Sequence, residues 1–194
     1  MAIDDPDYQR FPYVFGTVPG WGADMTEAIR EAARATLGHC IHEPINLLEV
    51  GVWEGRSACW LLDNVLTHPE ATYTGIDTWP PEQPSSIYPT MLIHIAYHGS
   101  KARIIRGDSK VEVPRLTQRF QVVIVDGDHT YEGCYADLNN CWEKLLPSGI
   151  MICDDYAFPG LPGVPKAIDQ FLGERSGQLV VLHKEVALAF RKIP

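Results

Sequence analysis

Apolar positions along the chain fall into two rhythms that alternate. Short compact runs, Ile45 to Val50, Ala71 to Asp77, Ala102 to Arg106, Gln121 to Val125 and Ile150 to Cys153, read as strands, and the β-branched Gln121–Val125 run reads as one buried on both faces. Between them the period lengthens to that of a helix. Arg56 to Leu66, Thr90 to His98, Val113 to Phe120 and Tyr131 to Leu146 are the expected helices, the last with Leu138, Trp142 and Leu145 on one face. Another runs to Leu37 behind a Thr26 cap, and one runs from Pro165, suited to a first turn, to Glu174. Leu179 to His183 and Val186 to Lys192 close the chain as two tightly joined strands, hence antiparallel.

Strand and helix in alternation require a parallel sheet covered on both faces. The expected fold is therefore α/β: a Rossmann-like, doubly wound, mostly parallel seven-stranded sheet with an antiparallel last strand. Residues 25–194 are expected to form a single domain, and residues 1–24, rich in Tyr, Phe, Pro and Gly without a sustained period, an irregular arm that packs on it or joins a partner. Two segments rich in proline and glycine, Trp79 to Pro89 and Ala157 to Gly163, read as loops.

Composition narrows the function classes. At 194 residues and 45% hydrophobic, the chain can bury one good core, and a net charge of −9 with no basic block leaves no footprint for nucleic acid. No apolar run approaches the roughly 20 residues of a membrane span, and the acidic start is unlike a signal peptide, so a soluble cytoplasmic protein is expected. The five cysteines include no C-x-x-C pair, and Cys134 and Cys141 on one helix would stand about 10 Å apart, too far to bridge, so reduced packing thiols are expected.

The chemistry concentrates where strands end. Glu49, Asp77, Asp108, Asp126, Asp154 and Asp155 all fall at carboxyl ends of expected strands, the edge where such sheets collect ligands. After the first strand, Gly51 and Gly55 form a turn without side chains ahead of a helix N-terminus, a cradle for a polar small molecule. Its Glu-x-Gly-x-x-x-Gly spacing differs from the Gly-x-Gly-x-x-Gly of dinucleotide binders and lacks the ending of a phosphate loop.

From about Gly20 onward these residues resemble the class I S-adenosylmethionine-dependent methyltransferases. Glu49-x-Gly51-x-x-x-Gly55 resembles their first motif, Asp77 their ribose-binding acid, and Asp108 with Ser109 the pair beside the adenine. The segments VVIVDGDHTYEG, LLPSG and ICDDY, with GTVPGW and EGRS, are similar to the small metal-dependent O-methyltransferases related to macrocin and rhamnosyl O-methyltransferases and to cephalosporin-hydroxylase-like proteins. The resemblance implies a cofactor cleft that also takes in Ser57, Thr78 and Asp126, with Glu49 drawing in the cofactor's amino group directly or through water. Trp79 is a candidate to stack on adenine, although an aromatic two residues past a strand is more often simple packing.

Asp126, Asp128, Asp154 and Asp155 would meet at one edge, where like charges raise one another's pKa unless a cation neutralises them. A hard divalent ion, Mg²⁺, would do so and would acidify a substrate hydroxyl; solvated turn acids are the alternative. Adjacent strand residues point to opposite faces, so Asp154 and Asp155 can share an ion only if the chain turns there. His129 and Asp128 are both candidate general bases. The function expected is methyl transfer from S-adenosylmethionine to a hydroxyl of a small molecule, perhaps a sugar or glycosylated metabolite, with no nucleic-acid or membrane partner and with the arm as a route to a homo-oligomer. A metal-dependent glycosyltransferase, suggested by Asp126-x-Asp128, and a non-catalytic cofactor-binding subunit are the rivals.

Overall fold

The computed structural model describes residues 27–38 and 42–194. The expected arm and the Thr26 cap lie outside them. Helix α1 (Glu27–Leu37) leads to β1 (Asn46–Val50), α2 (Arg56–Asn64), β2 (Thr72–Asp77), α3 (Ile87–Ala96) and β3 (Ala102–Arg106). Then come α4 (Ser109–Arg115), β4 (Phe120–Val125), α5 (Tyr131–Lys144), β5 (Leu145–Cys153), α6 (Gly163–Glu174), β6 (Leu179–Lys184) and β7 (Leu188–Lys192). One seven-stranded sheet runs β3-β2-β1-β4-β5-β7-β6, with β7 antiparallel to both its neighbours and every other pairing parallel. This is the doubly wound, mostly parallel sheet expected.

Alternation along each strand divides the core in two. Leu47, Val122, Ile124, Ile150 and Ile152 face α1, α2 and α3, whereas Leu48, Val123, Val125, Met151 and Cys153 face α4, α5 and α6. The central strands β1, β4 and the end of β5 are mostly apolar because both their faces are covered. Glu49 is the exception: it occupies a first-face position and is wholly buried. The free thiols of Cys59, Cys134, Cys141 and Cys153 are all buried.

Several boundaries differ from the sequence reading, most by one or two residues, and three by more. Helix α4 begins at Ser109, ahead of the expected Val113, because the Asp108 carboxylate accepts the Lys110 N–H at 2.9 Å and caps it. Helix α3 starts at Ile87 and stops at Ala96, shifted towards the proline-rich loop. Pro147, Ser148 and Gly149, which lie between the expected helix ending at Leu146 and the expected strand from Ile150, form an excursion within β5: Leu145 pairs with Phe120, and pairing resumes at Ile150 with Val122. Ser148 takes φ of 64° to make that bend.

Strand order reverses between β1 and β4, and there the two chains leave the sheet in opposite directions, opening a crevice. Gly51 makes this possible. It adopts φ of 90°, and a Cβ on it would stand 1.8 Å from the Asp126 carbonyl oxygen. Gly51→Ala should therefore destabilise the protein by about 4 kcal/mol or more, strain and backbone collision combined. Gly173→Ala, where α6 leaves open space around the glycine, should gain up to about 1 kcal/mol. Urea denaturation of the two variants beside the parent checks both signs.

Candidate active site

The crevice at the reversal is a cavity of about 610 Å³, lined by the turns that follow β1, β2, β3, β4 and β5. Its size is that of a small-molecule site. On one side the Gly51–Gly55 turn is fixed by Asp77, whose Oδ2 accepts the backbone N–H groups of Val52 and Trp53, each at 2.9 Å, while Oδ1 accepts that of Trp79 at 3.0 Å. Oδ2 is filled by its two N–H donors, but Oδ1 has a further lone pair, so Asp77 can hold the turn and still take a hydroxyl from a ligand. Ser57, Thr78, Asp108 and Ser109 join Gly51, Asp77 and Asp126 around the cavity.

Two expected contacts are reassigned. Trp79 is buried; its indole N–H donates to the Trp53 carbonyl at 2.9 Å and its ring tilts against Tyr88, so its faces are engaged by protein and simple packing is its role. Glu49 is enclosed beneath the glycine turn instead of lining the cavity. Ser57 Oγ donates to its Oε1 at 2.5 Å and the Tyr73 hydroxyl to its Oε2. Burial pushes its pKa up to about 8, the Ser57 and Tyr73 hydrogen bonds opposing. It ties α2 to β1 and β2 from below, and it acts on a ligand only through the turn it supports.

At the other side stand the acids. The chain does turn after β5: Asp155 takes φ of 57°, which swings its side chain back over the edge. His129 Nε2 lies 3.0 Å from Asp155 Oδ2 and 3.6 Å from Asp126 Oδ1. Ligand atoms of Asp126, His129 and Asp155 all come within 4.8 Å of one another. Asp154 lies behind them, buried, with its Oδ1 lacking any hydrogen-bond partner.

These groups set one another's charge. Burial, then repulsion from Asp155, raises Asp126 to about 6 against the pull of His129. Burial, then the charges of Asp126 and Asp155, drives Asp154 upward. Asp126 and Asp155 together hold the proton on His129, whose pKa rises to about 10. His129 is therefore an imidazolium at neutral pH, a counter-ion to the carboxylates.

Asp128 is placed differently from its three companions. Its Oδ1 accepts both the backbone N–H and the hydroxyl of Thr130, at 2.9 and 2.8 Å, while Lys110 Nζ stands 3.3 Å from Oδ2. Burial would raise its pKa, but Thr130 and Lys110 outweigh that and hold it below the ordinary carboxylate value. A carboxylate so stabilised is a poor proton acceptor. The structure thus groups Asp126, His129, Asp154 and Asp155, and leaves Asp128 at the cavity's border tied to Thr130, the cap of α5, and to Lys110.

Two residues of the site escape a reading of local pattern. Tyr73 holds Glu49 from the neighbouring strand. Asp137 lies in α5 within the buried stripe of Cys134, Leu138 and Cys141, where its Oδ1 accepts the Ser109 hydroxyl at 2.5 Å. An acid inside an apolar stripe is the signal that marks it.

A family profile described as a methyltransferase domain matches residues 48–156, which span β1 to the turn after β5. Among solved structures, the fold is similar to the O-methyltransferase NovP, with TM-score 0.65, 21% identity and coverage of 87% of this chain and 79% of that one. It is similar to CalS11, a TDP-rhamnose 3′-O-methyltransferase, with TM-score 0.60, 23% identity and coverage of 87% and 79%. It is also similar to the MycE methyltransferase, solved with Mg, SAH and mycinamycin VI, with TM-score 0.62 and 18% identity; 84% of this chain covers 48% of that one. No curated protein matches in sequence.

Glu49 generates a pH dependence. Its folded pKa of about 8 lies above the ordinary 4.5, so its share of stability is complete below pH 4.5 and is lost as pH rises through 8. Glu49→Gln should make the fall in melting temperature between pH 4.5 and 8 shallower than in the parent, followed by circular dichroism; an unchanged slope refutes the assignment.

Proposed function

Because the chain belongs to the methyltransferase-domain family matched over residues 48–156, we propose that it transfers the methyl group of S-adenosylmethionine to a hydroxyl of a small molecule, a sugar or glycosylated metabolite, with Mg²⁺ at its acidic edge. The observation that carries this reading is the sharing of one cavity by two unlike halves. The Gly51–Asp77 half offers backbone and a carboxylate for a nucleoside; the Asp126–His129–Asp155 half offers charge for an acceptor oxygen.

The bound cofactor supplies an electrophilic methyl on a sulfonium. The chain's part is to orient and to manage protons. Asp77 and the turn it fixes hold the nucleoside end, Asp108 and Ser109 border the cavity beyond it, and the acceptor hydroxyl is brought to His129. Much of the rate comes from that alignment.

The acidic edge fits a divalent cation. Its donors are hard oxygens, and Asp154 Oδ1 is a buried acceptor with nothing donating to it. Asp126, Asp154 and Asp155 would hold the ion, which would offset the negative charge that keeps His129 protonated and would favour the acceptor's oxyanion. His129, freed from its two carboxylates, is then the group placed to take the acceptor's proton. The low basicity of Asp128 favours His129 over it as the base.

Calorimetry with S-adenosylhomocysteine should show saturable binding, and a nucleotide sugar should show none. Mass spectrometry of a panel of glycosylated acceptors should show methyl transfer that needs Mg²⁺. His129→Ala should lower that rate by about 10²–10⁴-fold, and Asp155→Ala should weaken its dependence on the ion. Cofactor binding without transfer to any hydroxyl, Mg²⁺ present, would refute the catalytic reading.

A further inference from the structure

Asp137 has no place in the chemistry above, yet it is wholly buried. Its neighbours on α5 within the sheet-facing stripe are Cys134, Leu138 and Cys141, so an apolar residue would satisfy packing. Burial raises its pKa to about 6, in opposition to the help of the Ser109 hydroxyl and of the Asp128 backbone N–H. A buried carboxylate is costly unless its hydrogen bonds serve a purpose.

Its contacts show what that purpose is. The hydroxyl donating to Oδ1 belongs to Ser109, the first residue of α4, beside the cap Asp108; both border the cavity after β3. Oδ2 has no aligned hydrogen-bond partner, and it lies 3.0 Å from where a Cβ on Gly127 would stand, which places it directly against the Asp126–His129 turn after β4. A single carboxylate therefore touches the turn on the nucleoside side and the turn on the acidic side. Those two turns share no strand pairing, since β3 and β4 are separated in the sheet by β2 and β1; besides the buried Asp137, only the exposed Lys110–Asp128 ion pair at 3.3 Å is seen to link them among the described residues.

We propose that Asp137 is a positioning residue that locks the Asp108–Ser109 turn to the Asp126–His129 turn, so that cofactor binding and the geometry of the acidic edge are set together. This rests on the methyltransferase reading for the identity of the ligand. The lock itself is a property of the free chain. Ser109 reports it cleanly, because its hydroxyl reaches the second turn only through Asp137.

Three variants decide it: Ser109→Ala, Asp137→Asn and Asp137→Ala. In the free protein, amide hydrogen exchange at Gly127, Asp128 and His129 should quicken in Ser109→Ala, although the substituted side chain lies on the other turn. S-adenosylhomocysteine affinity should fall by about tenfold in Asp137→Ala and in Ser109→Ala, with a double variant no worse than the poorer single one. Asp137→Asn, whose amide oxygen can still accept from Ser109, should recover most of that loss. Unchanged exchange at Gly127–His129 in Ser109→Ala overturns the proposal, whether or not Asp137→Ala folds. So does an Asp137→Ala protein that melts earlier but binds with parental affinity, since that is the mark of a packing role alone. If the parent binds no S-adenosylhomocysteine, the proposed function fails, while the exchange result still decides the lock.

Discussion

Everything in the site depends on how closely the backbone after β1 can pass the backbone after β4. Gly51 and the Asp126 carbonyl meet at a separation that no side chain could share. The two strands are neighbours only because the sheet reverses its order there, and the crevice opens because their continuations part. The close pass brings the glycine turn and the Asp126–His129 turn to opposite walls of one cavity. Asp77 then fixes the first wall by accepting three backbone N–H groups.

The second wall is governed by charge. Three carboxylates crowd one edge, and among the described residues His129 is the cation that lies between two of them. Its proton and a bound cation would answer the same electrostatic demand, so the two compete. Asp128 stands apart from that competition because Thr130 and Lys110 already satisfy it. Sequence proximity within Asp126-x-Asp128 therefore conceals two different tasks: both acids border the cavity, but Asp126 joins the cluster with His129 and Asp155, whereas Asp128 is held by Thr130, the cap of α5, and by Lys110.

The fold was legible because the central strands are covered on both faces, which leaves β4 and the end of β5 as short, mostly apolar runs that alternate with helical periods. Boundaries were less so where a side chain decides them: Asp108 draws α4 forward by capping it, and the β5 excursion keeps Leu145 paired despite Pro147 and Gly149. In the site, the placement of acids at strand ends followed from the alternation of strand and helix, whereas the two-residue period of a strand left the turn at Asp155 as a condition that the structure meets. The fate of Glu49 and Trp79 did not. Whether a strand-end acid faces a ligand or is sealed by a tyrosine from the next strand depends on register, and Tyr73 stands opposite Leu47, two positions before the Gly75 that pairs with Glu49. Asp137 acts across 28 residues of sequence, a distance over which local pattern carries no information.

Glu49 also changes what folding is. At neutral pH its carboxyl holds a proton in the native chain that it would surrender when unfolded, and His129 does the same on the alkaline side of neutrality. Assembly of this protein is thus a proton-uptake reaction. The heat it releases carries the ionisation heat of whichever buffer gives those protons up.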